Sequence, residues 1–237
     1  MLCMWKPGGG WNPGPKTTGS GPCSKGDKGD DVSRLEEDRR ALPALYACSP
    51  RAGGNSDRAA DLVARGIAEA GGVSETIRLR TYNIHPCIGC NRCRYDREGR
   101  CFLTDVDQSS SLYQPLIHAP FVFLVTPVYF YHVPSQFKAF IDRSQSFYLR
   151  REGGDQTLLD LPRRPAWVVM FAARPKGEKL FEGALLTLKY FLRTFNLDIQ
   201  ERMLHLGKEG PLDLDGDGKA VGDMVAAGRR AWEEFGA

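Results

Sequence analysis

The sequence predicts an α/β fold, a doubly wound five-stranded parallel sheet with helices on both faces. Two observations carry that expectation. Short apolar runs of strand length alternate with longer segments whose apolar residues recur at helical spacing, the pattern of strand-helix-strand units joined by right-handed crossovers. The run Phe121-Val122-Phe123-Leu124-Val125-Thr126 is apolar almost throughout, as a strand covered on both faces must be, so it belongs in the middle of the sheet.

The elements follow in order. Ala44-Leu45-Tyr46-Ala47-Cys48-Ser49 is a buried first strand stopped by Pro50. A helix follows with Ser56 as its expected N-cap and Ala59, Leu62, Val63, Ile67 and Ala70 on one face, ended by Gly71-Gly72. Val73 to Leu79 alternates apolar and polar residues and predicts a second, less buried strand. Asp107 to His118 predicts a helix opened by an acidic cap, ahead of the central strand. Pro134 is expected at a first helical position, before Phe137, Phe140 and Ile141 and a helix running to about Phe147. Residues 149–163 are polar and predict a long loop. Ala166 to Phe171 is the fourth strand, Lys179 to Phe195 a helix with one broad apolar face, and Ile199 to Leu204 the last strand. Val221, Val225, Trp232 and Phe235 mark a final helix.

Composition sets the bounds. The chain has 237 residues, 42% of them hydrophobic, enough for one full core, expected over residues 41–237. Residues 1–40 are rich in Gly and Pro and poor in aliphatic side chains, which predicts a disordered extension; Cys3 and Cys23 within it read as incidental. A formal net charge of +3 with no Lys/Arg run argues against a nucleic-acid partner. The longest apolar stretch, from Ala119 to Val133, is broken by Pro120, Thr126, Pro127 and His132, short of the roughly 18 apolar residues a membrane helix needs. With no export signal at Met1-Leu2-Cys3-Met4-Trp5-Lys6-Pro7, a cytoplasmic protein is the default expectation.

In a doubly wound sheet, ligands bind beyond the carboxyl ends of the strands, where strand order reverses. The loops after the first four strands therefore converge on the expected site: Ser49 to Ser56, the cysteine loop, Thr126 to Tyr131, and Ala172 to Lys176. The cysteine loop is the densest signal. Cys87, Cys90, Cys93 and Cys101 follow the pattern Cys-x2-Cys-x2-Cys-x7-Cys. Structural zinc sites usually pair two Cys-x2-Cys knuckles across about 12 to 20 residues, whereas thiols at steps of three suit the corners of a [4Fe-4S] cube. A disulfide knot, free thiols and zinc are the other readings of this pattern.

The stretch Ser49-Pro50-Arg51-Ala52-Gly53-Gly54-Asn55-Ser56 offers what a phosphate monoester needs: hydroxyls, a guanidinium, glycines that let backbone amides approach, and a helix N-terminus. It is neither a Gly-x4-Gly-Lys-Ser/Thr loop nor a Gly-x-Gly-x2-Gly fingerprint, so a single phosphate fits better than a triphosphate or dinucleotide. A plain turn is the alternative for this octapeptide taken alone. Asp213-Leu214-Asp215-Gly216-Asp217-Gly218 imitates the start of a calcium loop, but its twelfth place is Met224 rather than Glu, and a polar turn is the expectation.

These motifs together resemble the NADPH-dependent FMN reductase family, with its flavodoxin-like fold, and within it the iron-sulfur flavoproteins. The resemblance rests on the phosphate loop, on Cys-x-Gly-Cys-x2-Cys, on Thr126-Pro127-Val128-Tyr129 with Val133-Pro134-Ser135, and on Lys138-x-Phe140-Ile141-Asp142-Arg143, across roughly residues 43–205. It implies FMN held at its phosphate by Ser49, Arg51, Gly54, Asn55 and Ser56, and Thr126, Pro127, Val128 and Tyr129 lining the flavin ring. Cys87, Cys90, Cys93 and Cys101 become [4Fe-4S] ligands. The implied activity is an oxidoreductase in which FMN performs the chemistry and no catalytic acid or base is required. NAD(P)H or a ferredoxin-like carrier is the implied electron partner and a small molecule the acceptor. A cluster-free NAD(P)H-dependent FMN or quinone reductase and a flavodoxin-like carrier module are the alternatives. A flavin on one open face also predicts a homo-oligomer, dimer or tetramer. The seven-residue last cysteine gap and the glycine-free Ala172-Ala173-Arg174-Pro175 depart from the family pattern.

Overall fold

The structure, a computed structural model, describes residues 42–211 and 213–236; the extension expected over residues 1–40 lies outside them. In chain order the elements are β1 (Ala44–Ala47), α1 (Asn55–Glu69), β2 (Glu75–Arg78), α2 (Arg92–Tyr95), α3 (Gln114–His118), β3 (Val122–Pro127), α4 (Ser135–Arg143) and α5 (Gln145–Glu152), followed by α6 (Gln156–Leu159), β4 (Arg164–Phe171), α7 (Glu182–Arg193), β5 (Leu197–His205) and α8 (Gly218–Phe235). Short 3-10 turns at Leu79–Thr81, Phe102–Asp105 and Ser111–Tyr113 fill the connections. All neighbouring strands pair in parallel, in the order β2-β1-β3-β4-β5. This is the flavodoxin-like order, with its switch point between β1 and β3. The fold expected from the sequence is the fold observed.

The two-residue period of the strands builds two cores. Tyr46, Leu124, Val168 and Met170 point to the face covered by α4 and α7, where they meet Phe137, Phe140, Leu188 and Phe191. Leu45, Phe123, Trp167 and Val169 point to the other face, against Leu62, Val63, Met224 and Ala227 of α1 and α8. These two helices cross at glycines: a Cβ on Gly66 would lie 2.0 Å from Val225 O, and one on Gly228 2.2 Å from Val63 O. The stability of the sheet under the site depends on that contact.

Several boundaries differ from expectation. Gly54, not Ser56, is the N-cap of α1, because the Asp57 carboxylate turns back to accept Gly53 N–H at 2.8 Å and opens the helix earlier. Pro134 is the cap of α4 rather than its first residue. The helix expected from Asp107 to His118 is reduced to a 3-10 turn and α3, since Asp107 accepts from Ser109 N–H and Oγ–H instead of capping a helix. The long loop expected at 149–163 is mostly helical: α5 runs on to Glu152 and α6 is capped by Asp155, with Leu158 1% exposed beneath it. Arg164 begins β4 two places early, because its buried guanidinium donates to the carbonyls of Ala119 (2.7 Å), Leu116 (2.9 Å) and Phe195 (2.7 Å). Three carbonyl acceptors make a charged residue fit a strand start.

Candidate functional site

Among the described residues, two cavities are lined by the residues expected in the site, and no residue lines both. The first, of about 270 Å³, lies over the ends of β1 and β3, lined by Ser49, Arg51, Gly54, Asn55 and Ser56 and by Pro127, Val128 and Tyr129. Phe171, Ala173, Lys208 and Glu209 complete it. Eight of the nine residues expected to hold the flavin thus line one cavity; Thr126 does not, being 0% exposed with its hydroxyl donating to Pro127 O at 3.0 Å. Its place is behind the loop.

The loop before α1 is held by its own side chains. Gly53 sits at φ 66°, a left-handed conformation in which a side chain is strained, and the Asp57 carboxylate fixes its N–H. Arg80 Nη1 donates to the same carboxylate at 2.7 Å. Ser49 Oγ accepts Arg51 N–H at 3.1 Å, and Gly54, Asn55 and Ser56, the cap and first residues of α1, line the cavity at the positive end of the helix. Arg51 is the cation of this cavity; Lys208 also lines it, but its Nζ–H groups donate to Asp213 O at 3.1 Å and Asp217 Oδ2 at 3.0 Å.

The loop after β5 is the part that sequence reasoning missed. Asn55 binds it across the sheet edge: Nδ2–H donates to Lys208 O at 3.3 Å and Gly210 O at 2.9 Å, and Oδ1 accepts Leu214 N–H at 3.0 Å. The side chain of Asn55 therefore clamps this loop. Arg51 Nη1 reaches Glu209 O at 2.9 Å. Asp213 Oδ2 accepts the N–H groups of Glu209 and Gly210, and Asp217 caps α8 through Ala220 N–H, so the acidic run expected to be a polar turn is one. The signal available in the sequence was position: the loop after the fifth strand leaves the same edge of the sheet as the others.

Beyond β3, Tyr129 and His132 exchange backbone hydrogen bonds (2.8 and 2.9 Å) across a two-residue turn whose members, Phe130 and Tyr131, have φ of 48° and 63°. Such turns favour Asn-Gly; aromatic residues there store about 1–2 kcal/mol each. Phe130 is fully exposed at the tip. His132 Nε2 pairs with Thr187 Oγ1 at 2.9 Å, fixing the turn to α7; burial first, then Lys138, pushes the His132 imidazole below its usual value.

The second cavity, of about 290 Å³, is walled by Cys87, Cys90, Cys93 and Cys101, together with Phe102 and Arg143. All four expected thiols face one space. No disulfide joins them; Cys87 and Cys90 are exposed, Cys93 and Cys101 partly buried. Burial and then the neighbouring Cys101, with smaller effects from Cys87 and Cys90, push the Cys93 thiol above its usual value. Among the described residues, no three His, Cys, Asp or Glu side chains converge tightly enough to grip a metal ion. Gly89 at φ 65° and Asn91 at φ 55° turn the chain around the cavity, and Arg92 lies 4.6 Å over the Phe102 ring. Asp96 Oδ1 accepts Glu98 N–H and Arg100 N–H, which folds the seven-residue gap. Gln136 Nε2–H donates to Leu79 O and Tyr82 O, anchoring the segment before the cysteines to α4.

Behind the cysteines, Arg143 Nη1 donates to His85 O at 3.1 Å and to Asp107 Oδ2 at 2.5 Å. Burial pushes the Asp107 carboxyl up, but donors from Ser109, His85 and Arg143 outweigh it and hold the group below its usual range. Sequence reading placed Arg143 in a motif but assigned it no role.

The family model for NADPH-dependent FMN reductase matches residues 44–197. An iron-sulfur flavoprotein from Methanocaldococcus jannaschii is 37% identical over 111 residues, covering 45% of this chain and 55% of that protein. One from Archaeoglobus fulgidus is 31% identical over 96 residues, 40% of this chain and 41% of that protein. The matched parts thus span about half the length of these relatives. An azoreductase structure from Bacillus anthracis superposes with a TM-score of 0.58 at 12% identity, covering 82% of this chain and all of that one, a likeness of fold alone. No described helix is long and apolar enough to cross a membrane.

Proposed function

The chain belongs to the NADPH-dependent FMN reductase family, and from that premise we propose that it is an FMN-dependent oxidoreductase whose cysteine loop holds a [4Fe-4S] cluster that exchanges electrons with the flavin. The observation that carries this reading is that two separately encoded motifs each close on a cavity of their own at the same sheet edge, one lined for a phosphate and one by four thiols.

The flavin phosphate belongs at the start of α1. Arg51 supplies a charge-assisted donor, Ser49 and Ser56 hydroxyls, and the Gly54, Asn55 and Ser56 amides the helix N-terminus. Pro127, Val128 and Tyr129 line the same cavity as the phosphate loop, which supports their use along the flavin ring. Bound FMN supplies hydride and single-electron chemistry. The chain's residues bind and orient it.

Four thiols on one cavity support a cluster that takes four thiolates. A [4Fe-4S] cube takes one thiolate on each of its four irons, and the lining of one cavity by Cys87, Cys90, Cys93 and Cys101 supports that use. The two relatives carry the name iron-sulfur flavoprotein, which supports the same reading. A ferredoxin-like carrier or NAD(P)H then supplies electrons, and a small molecule accepts them. Phe130, bare on the rim of the flavin site, supports a second copy of the chain covering it, so the protein works as a homo-oligomer. Replacing Arg51 by Ala removes a charge-assisted pair worth about 1.5–3 kcal/mol and should weaken FMN binding roughly tenfold or more by fluorescence titration. Unchanged affinity would remove the phosphate assignment.

A further inference from the structure

The cysteine cavity has a larger neighbour. A cavity of about 410 Å³ shares Cys101 with it and shares no residue with the cavity over β1 and β3. Its accessible wall is mostly apolar: Ile117 of α3, Phe147 of α5 and Leu161 line it and are only partly buried. The turn between α5 and α6 closes one side. Arg150 pairs with Asp155 at 2.6 Å, and its stem lies so close to Gly99 that a Cβ there would collide with it. Every arginine on the wall is matched by a carboxylate, Arg143 by Asp107 at 2.5 Å, Arg150 by Asp155, and Arg100 by Glu98 at 3.4 Å. An anion finds no spare cation there, and among the described residues no Asp or Glu lines the cavity to receive a cation. The side chains of Thr104, Ser110 and Gln114 line it too, and they make no hydrogen bond among the described residues. An apolar wall with a few unused polar groups is what an uncharged small molecule needs, and the volume is in the range of such sites.

We propose that this cavity is an electron-acceptor site, which binds an uncharged ring compound of the quinone class and passes electrons to it past Cys101. The inference rests on the cluster reading above and names the small acceptor left open there. The ring carbons suit the apolar wall and the two carbonyl oxygens the free donors of Thr104, Ser110 and Gln114. The step balances: the quinone gains two electrons and two protons and becomes the hydroquinone, NAD(P)H gives up a hydride, and the second proton comes from water. Because the two cavities share no lining residue, the acceptor and a nicotinamide donor do not compete for one place.

The test uses the full chain purified without oxygen and duroquinone as the probe, a quinone with no ring hydrogen for a thiol to replace. Isothermal titration calorimetry without reductant reads binding alone, and FMN, iron and acid-labile sulfide are counted in each sample. Ile117→Ala strips apolar wall and is expected to weaken duroquinone binding roughly fivefold or more. Ser110→Trp fills the space and is expected to abolish it, with FMN retained in both variants. If Ser110→Trp does not fold, Ile117→Ala decides. In turnover with NADPH, the KM for duroquinone should rise with the same substitution while kcat is kept. A wild type that does not bind duroquinone would overturn the inference. So would an affinity that falls in Tyr129→Ala and not in Ile117→Ala, since that places the quinone over the flavin cavity. A wild type that binds duroquinone in this cavity but contains no iron would overturn the cluster reading and the electron route with it, a result that the iron count separates from the others.

Discussion

Replacing Asn55 by Ala tests whether its side chain is a clamp or a ligand. The amide makes three hydrogen bonds to the loop after β5, at Lys208 O, Gly210 O and Leu214 N, and the residue is 8% exposed. At about 1 kcal/mol net for each bond, their loss comes to roughly 3 kcal/mol. Alanine is the better helix former at this first position of α1, which returns about 0.5 kcal/mol. The net destabilisation is therefore roughly 2–2.5 kcal/mol, or about 4–10 °C in melting temperature for a domain of this size. Urea unfolding of flavin-free protein measures it directly, and limited proteolysis should show faster cleavage between residues 206 and 214. FMN affinity should fall as well, because Lys208 and Glu209 leave the cavity wall. If flavin-free stability stays within about 0.5 kcal/mol of wild type while FMN affinity collapses, the amide contacts the phosphate itself and the clamp is refuted.

Two further outcomes follow from buried groups. Arg164→Met leaves the carbonyls of Leu116, Ala119 and Phe195 without a donor; burial lowers the guanidinium to about pKa 10, so it is charged at neutral pH, and the loss should cost about 3–5 kcal/mol in urea unfolding. A cost under about 1 kcal/mol would show that water replaces it. His132 and His205 are both held below the usual 6.5 by burial, so the unfolded chain takes up protons before the folded one does. Stability is complete above that value and declines as pH falls through it toward the lower folded pKa; melting scans between pH 7.5 and 5 should show this, with a smaller slope in His132→Gln. A slope unchanged in that variant would place the titration elsewhere.

The parallel sheet and the central place of β3 were legible because a run such as Phe121 to Thr126 is too apolar to be anything but central, and because helical spacing survives single polar exceptions. The cavity-lining loops were legible because their chemistry is local: Ser49 to Ser56 and Cys87 to Cys101 each carry their donors in one short stretch. What escaped was long-range. Lys208 and Glu209 reach the cavity over β1 and β3 through the Asn55 amide, a contact spanning 153 residues at Lys208 O that no local pattern reports. Arg143 and Asp107 pair 36 residues apart, which turned an expected helix cap into the partner of a residue that lines the cysteine cavity. Ser56 failed as a cap for a local reason, since Asp57 competes for the same turn.

The central claim, a flavin and a cluster on one chain, is tested most directly by counting FMN, iron and acid-labile sulfide in protein purified without oxygen, for wild type and Cys90→Ser. The account predicts FMN with about four iron and four sulfide per chain in the wild type. In Cys90→Ser it predicts loss of the iron with the flavin retained, because Cys90 lines a cavity that shares no residue with the phosphate site. Flavin-loaded wild type with neither iron nor sulfide, and a Cys90→Ser spectrum identical to it, would contradict the account and leave the thiols free; zinc in place of iron would contradict it equally, since zinc has no redox chemistry to share with a flavin.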